Sequence, residues 1–241
     1  VSGENSFVEA GDFGVGTSLP PSRMEAGKPI GYFYGLQTDG IFQNQAEVDT
    51  HATQVNAAPG DLRYVDINND GLIDSEDRVD IGDPIPDVTM GLNIGFRYKN
   101  LDFSSYTFAS IGNDMIRNYE RNQNLVNRRN ASLGRWTGEG TTNDFPRVTT
   151  SANSNGLFSD FYVEDASYVR IQNVQLGYTI NDEFMDVMGI DKFRIYASVN
   201  NLYTFTEYQG YDPSASSGDP LGGGIDQGFY PVPRTYLVGV N

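Results

Sequence analysis

The chain has 241 residues, 16 of them basic and 32 acidic, for a formal net charge of −16. That balance argues against nucleic acid and against adhesion to an anionic membrane surface, since both require a positive patch. With no Cys and one His, the chain offers no disulfide scaffold, no thiol chemistry and no His-rich metal site.

The chain opens VSGENSFVEAG, without a basic segment followed by an apolar one, and is expected to be an internal piece of a longer polypeptide. No uninterrupted apolar run reaches the roughly 18 residues of a membrane-spanning helix, which leaves open a β-barrel, whose strands carry only alternating apolar positions. Residues 30–37, IGYFYGLQ, predict a strand of weak alternation. A long excursion, 38–87, follows. It contains DINNDGLIDSED at 66–77, which raises the question of why five carboxylates fall in so short a stretch.

The spacing supplies the chemistry. Asp66, Asn68 and Asp70 stand at positions 1, 3 and 5 of an EF-hand-type loop, and Gly71 sits where the turn requires positive φ. Leu72 offers a backbone carbonyl, Asp74 a direct or water-mediated contact, and Asp77 closes the loop. Hard oxygen donors at this spacing suit a structural Ca²⁺. The shorter Asp77, where calcium sensors carry Glu, predicts weak affinity. The competing possibility is a solvated Asn/Asp turn with no metal.

Residues 88–98, VTMGLNIGFRY, alternate cleanly, with Val88, Met90, Leu92, Ile94, Phe96 and Tyr98 on one face. A tight Lys99-Asn100 turn leads to a strand at 101–111. A second long excursion, 112–165, carries Tyr119, Arg121, Arg128, Arg129, Arg135 and Trp136, candidates for ligand or partner contact. Residues 174–180 alternate again, and Val169 and Ile171 are out of phase with them, which predicts a bulge near Asn173. A short link, 181–192, leads to a strand at 193–205. A third excursion, 206–233, precedes a last strand in which Tyr236, Val238 and Val240 share a face. Connections that alternate between long and short are the pattern of an up-and-down outer-membrane barrel, with long loops outside the cell and short turns in the periplasm.

Five blocks, GKPIGYFYGLQTDGIFQ (27–43), PGDLRYVDINNDGLIDSEDRVDIGDPIPDVTMGLNIGFRYKNLDFS (59–104), FYVEDASYVRIQNVQLGYTI (161–180), ASVNNLYTFTEYQGYDPS (197–214) and YPVPRTYLVGVN (230–241), carry a resemblance. The chain resembles the C-terminal part of a SusC-like TonB-dependent outer-membrane transporter. That resemblance implies an all-β fold, the C-terminal strands of a large antiparallel transmembrane β-barrel of about 22 strands when complete. It further implies long extracellular loops at 38–87, 112–165 and 206–233, with the plug upstream of Val1. The implied function is import, from the bacterial outer membrane, of a small oligosaccharide or peptide. The implied partners are a SusD-like surface lipoprotein, outer-membrane lipid, and TonB reached through the missing N-terminal part. The alternative is a secreted, calcium-stabilised β-domain with a binding or adhesive role.

Catalysis has little support. His51 lies alone in a polar loop, and LGGGIDQG (221–228) lacks the strand-before, helix-after setting of a phosphate loop. No pair of acids occupies a recognisable strand-end frame for glycoside hydrolysis.

Overall fold

The computed structural model describes residues 7–10, 20–119, 130–180, 193–215, 218 and 221–241. In chain order the first strands are β1 (Phe7–Ala10), β2 (Ser22–Glu25), β3 (Tyr32–Gly35) and β4 (Thr38–Ile41), followed by a short helix α1 (Gln45–Thr50). Then come β5 (Leu62–Tyr64), β6 (Val79–Gly82), β7 (Val88–Tyr98), β8 (Leu101–Ile111) and β9 (Asp114–Arg117). The chain finishes with β10 (Val163–Asp165), β11 (Tyr168–Ile180), β12 (Phe193–Thr206), β13 (Ile225–Asp226) and β14 (Thr235–Val240). These elements fall into two compact units.

One unit is drawn from Val1–Ile85, Asp114–Glu164 and Ala215–Phe229. It holds a four-stranded sheet in the order β1-β2-β3-β6, a β4-β5 pair, and a small sheet in which β9 lies between β10 and β13. Its apolar interior forms two clusters. Phe33, Ile116, Phe158, Tyr162 and Ile225 make one, and Leu36, Ile41, Leu62, Tyr64 and Ile73 the other. The strand expected at 30–37 is therefore the shorter β3, and it belongs to this unit, where Tyr32, Phe33 and Leu36 are buried. The stretches 38–87 and 112–165, which the sequence presents as long connections, supply much of this core.

Polar clamps hold the unit's irregular segments, as buried charges require. Asp61, fully buried, accepts from Arg147 through both oxygens at 2.7 and 2.9 Å, and from Asn155 at 2.9 Å. The Arg23 guanidinium lies 3.4 Å from the Tyr34 ring centroid and 4.0 Å from that of Phe7, and Glu9 accepts from both Arg23 and Arg78. Burial and a hydrogen bond to Glu25 push the Tyr32 hydroxyl up to about 12. Trp136 packs over Gly60, at φ +90°, where a Cβ would overlap the indole.

The other unit, Pro86–Asn113, Asp165–Ser214 and Tyr230–Asn241, is one antiparallel sheet in the order β14-β12-β11-β8-β7. β7 and β8 form a hairpin in which Tyr98 pairs with Leu101. Lys99 adopts φ 51° in its two-residue turn. The expected bulge is present: the β11 register shifts between Ile171 and Asn173 against both β8 and β12. On β12 the same interval holds one residue more than on β11, and Asn201 there has φ 53°. The short link 181–192 lies outside the described residues.

Candidate functional site

Residues paired across an antiparallel ladder share a face, so the registers determine what each side of the sheet presents. Leu92 pairs with Thr107, Thr107 with Ile171, and Ile171 with Tyr203. Ile94, Ser105, Val174, Val199 and Tyr236 form another row of the same face. The two bulges keep Val169 and Ile171 in line with Val174 and Leu176, which simple alternation would have put on the opposite side. The result is one continuous apolar face. Its members Met90, Leu92, Phe96, Leu176, Tyr203, Phe205, Tyr236 and Val238 lie 48 to 80% exposed. Scattered exposed apolar residues are ordinary, whereas a whole sheet face of them marks an interaction with lipid or protein.

The reverse face is predominantly polar. Arg194 reaches across β11 to Asp102, with contacts at 2.9 and 2.6 Å. It can do so because position 177 is Gly, where a Cβ would overlap the guanidinium. The strands β7 and β8 have 11 residues, β11 has 13 and β12 has 14. A tilted strand crosses a bilayer core in about 9–11 residues.

No family model matches the chain. Over 228 residues it is 34% identical to the TonB-dependent receptor P3 of Formosa agariphila, covering 90% of this chain and 22% of that protein. Over 243 residues it is 32% identical to the TonB-dependent receptor SusC of Bacteroides thetaiotaomicron, covering 98% of this chain and 22% of SusC. The chain is homologous to a segment of the SusC-type TonB-dependent receptors. It spans 22 to 23% of the length of its first curated relatives. Among solved structures it matches the RagAB peptide transporter with a TM-score of 0.71 at 22% identity, over 97% of this chain and 24% of that one. It also matches the RagAB peptide importer in the open-open state with a TM-score of 0.68 at 22% identity, over 91% and 23%. These structural likenesses show the fold, that of barrel strands.

In this SusC-type segment the acidic loop is shaped by its own side chains. Asp77 is fully buried and accepts from the backbone N–H groups of Ile67 and Asp74, each at 2.9 Å. Asp66 Oδ2 accepts from Gly71, whose φ is +84°. Asn68 accepts from the Asp70 N–H, Asp70 from that of Leu72, and Asp74 from that of Glu76. Asp66 Oδ1 is buried and meets no hydrogen-bond donor. Among the described residues no group of three or more His, Cys, Asp or Glu side chains is gathered closely enough to hold a metal ion. The donors are the hard oxygens that a Ca²⁺ takes and one Asp66 oxygen is unmatched, but the carboxylates are not drawn together, so an ion there would have to gather them; Gly71 already makes the turn.

Of the residues in 112–165 singled out for ligand or partner contact, Tyr119, Arg135 and Trp136 are among the described residues. Trp136 donates from its indole N–H to Gln43 at 3.1 Å, and Arg135 donates to the Ser132 carbonyl at 3.3 Å. Tyr119 is partly buried. Arg121, Arg128 and Arg129 lie outside the described residues. His51 sits edge-on to Phe42, with ring centroids 5.1 Å apart.

Composition and spacing did not reveal a polar cavity of about 320 Å³ at the Thr206 end of β12. Its wall is anchored by Arg170, buried, which donates to Thr204, Ser214 and Asp212 at 2.8, 3.0 and 2.5 Å. Burial opposes the charge on Asp212. Hydrogen bonds from Ser214, from the Val232 N–H and from Arg170 outweigh that penalty and hold its carboxyl below the ordinary range. A depressed folded pKa contributes stability that is present above the unfolded value of 3.8 and is lost as pH falls through the folded one. Protection of the Val232 amide against hydrogen exchange, taken relative to the intrinsic rate at each pH, should therefore be high at neutral pH and fall below about pH 4. In Asp212→Asn that protection should be low at both. Acid-independent protection in the unaltered chain would show that this carboxylate does not hold the segment.

Proposed function

We propose that the chain forms part of the barrel wall of an outer-membrane importer. It takes up a small oligosaccharide or peptide, works with a SusD-like surface lipoprotein, and is energised by TonB through the N-terminal part of the receptor. The observation that carries this reading is the continuous exposed apolar face of the five-stranded sheet, backed on its other side by polar residues. A closed barrel places such a face in lipid and the polar face toward its interior. On this reading the chain acts by transport rather than catalysis. The test is a strain lacking the full-length receptor: uptake of the cognate labelled oligomer should disappear and return with the intact gene. A tagged receptor should bring a surface lipoprotein with it through purification. Uptake that persists unchanged in the deletion strain would overturn the proposal.

The acidic loop serves this importer as a structural calcium site. Asp66, Asp70, Asp74 and Asp77, with Asn68 and the Leu72 carbonyl, are the donors. The ion offsets clustered negative charge and fixes the excursion 38–87 in one shape. Supporting the assignment are the EF-hand spacing and the buried Asp66 oxygen that no donor satisfies. Chelator should lower the unfolding temperature of the full-length receptor by several degrees, and added Ca²⁺ should restore it. Asp66→Asn should abolish that response. An unfolding temperature indifferent to chelator would remove calcium from the account.

A further inference from the structure

We propose that the cavity at the Thr206 end of β12 binds a carboxylate-bearing ligand, with Arg234 as its ionic partner. Arg234 lines the cavity, is exposed, and has no acidic partner among the described residues. The other guanidinium in the wall, Arg170, is buried and spent on Asp212, Thr204 and Ser214. The lining residues thus carry one net positive charge, in a chain whose formal net charge is −16. Such a local reversal of sign favours an anion. One charge matches a monoanion, and a phosphate dianion would be left half compensated. The guanidinium presents paired N–H groups that fit a carboxylate's two oxygens.

The remaining walls suit the body of such a ligand. Tyr211, 72% exposed, offers an aromatic surface, and Asn201 and Thr204 offer polar groups. The volume, about 320 Å³, lies at the small end of ligand pockets and suits a sugar ring or an amino-acid residue. Asp212 fixes the cavity from two sides, through Arg170 on β11 and the Val232 N–H at 3.0 Å. The carboxylate can belong to a uronate in an oligosaccharide or to a peptide.

Calorimetric titration of the full-length receptor in detergent tests this without TonB or lipoprotein, so its outcome is independent of the uptake assay. The probes are a galacturonate trisaccharide with its neutral galactose counterpart, and a tripeptide with a free C-terminus with its amidated form. At least one charged probe should bind about tenfold or more tightly than its neutral counterpart. Arg234→Gln should erase that preference while leaving the neutral probes unchanged, and Arg234→Lys should keep part of it. A preference confined to the sugar pair identifies a uronate, and one confined to the peptide pair a peptide carboxylate. Equal binding of charged and neutral forms in both pairs overturns the proposal. So does a preference that survives in Arg234→Gln. If that variant fails to fold, an undiminished preference in Arg234→Lys overturns it instead.

Discussion

Leu92→Arg should destabilise the membrane-inserted receptor by about 2–4 kcal/mol, and Asn93→Arg, one residue along, by about 1 kcal/mol or less. Leu92 lies mid-strand on the apolar face, in line with Thr107, Ile171 and Tyr203. Asn93 lies on the reverse face, opposite Tyr106. Arginine at the bilayer midplane must shed water or thin the membrane around it, and near the headgroups it keeps its hydration. A series at Val88, Leu92 and Phe96 should therefore give a cost peaked at Leu92. Reversible unfolding of the full-length receptor from vesicles would measure it. Equal, large penalties at all three positions would mean that the face packs against protein, as in a sandwich, and the membrane assignment would fall.

Asp61→Ala should cost roughly 3–5 kcal/mol, because it strands a cation and several donors at once. The lost carboxylate accepts from Arg147 twice, from Asn155, and from the Ala58 N–H at 3.0 Å. Arg147 keeps 24% of its side-chain exposure, so water can reach the abandoned guanidinium and the lower end of the range applies. Asp39→Ala is the control. Asp39 meets Arg63 at 2.6 Å, but at 49% exposure that pair is well hydrated and its loss should cost about 1 kcal/mol or less. Limited proteolysis across residues 142–156 reports the difference. Similar protection in the two variants would show that the buried clamp is not what fastens these segments.

The long strands were legible because each half-covered strand must alternate. Residues 88–98 show the pattern without interruption, and the phase break at Val169 and Ile171 pointed to the bulge that is there. Less legible was the unit built from the long excursions. Its core residues, Phe42, Leu62, Tyr64, Ile73, Phe158 and Tyr162, stand alone or in groups of two or three at irregular spacing and carry no sustained period for a window to detect. IGYFYGLQ misleads for a related reason: a short strand buried in a small sheet reads like the end of a longer one. The acidic loop announced its sharp turn through spacing, and Gly71 takes the positive φ expected there. The cavity at the end of β12 could not be read, since Arg170, Asp212 and Arg234 meet only through the fold.

The order of the elements along the chain has a consequence for how this polypeptide matures. Sheet neighbours β7, β8, β11, β12 and β14 follow one another in sequence, so each pairing joins a strand to the sheet member before it in the chain. The cluster around Phe33 obeys a different clock. It needs Ile116, Phe158 and Ile225, and Ile225 stands beyond β12 in the chain. Its closing contact, the parallel pairing of Ile225 with Ile116, spans a long loop and gains nothing until both ends are present. Until that moment Phe33 and Phe158 lack a complete interior. Protease resistance in the excursions should therefore be acquired last, set by a late stitch rather than by pairing within the sheet.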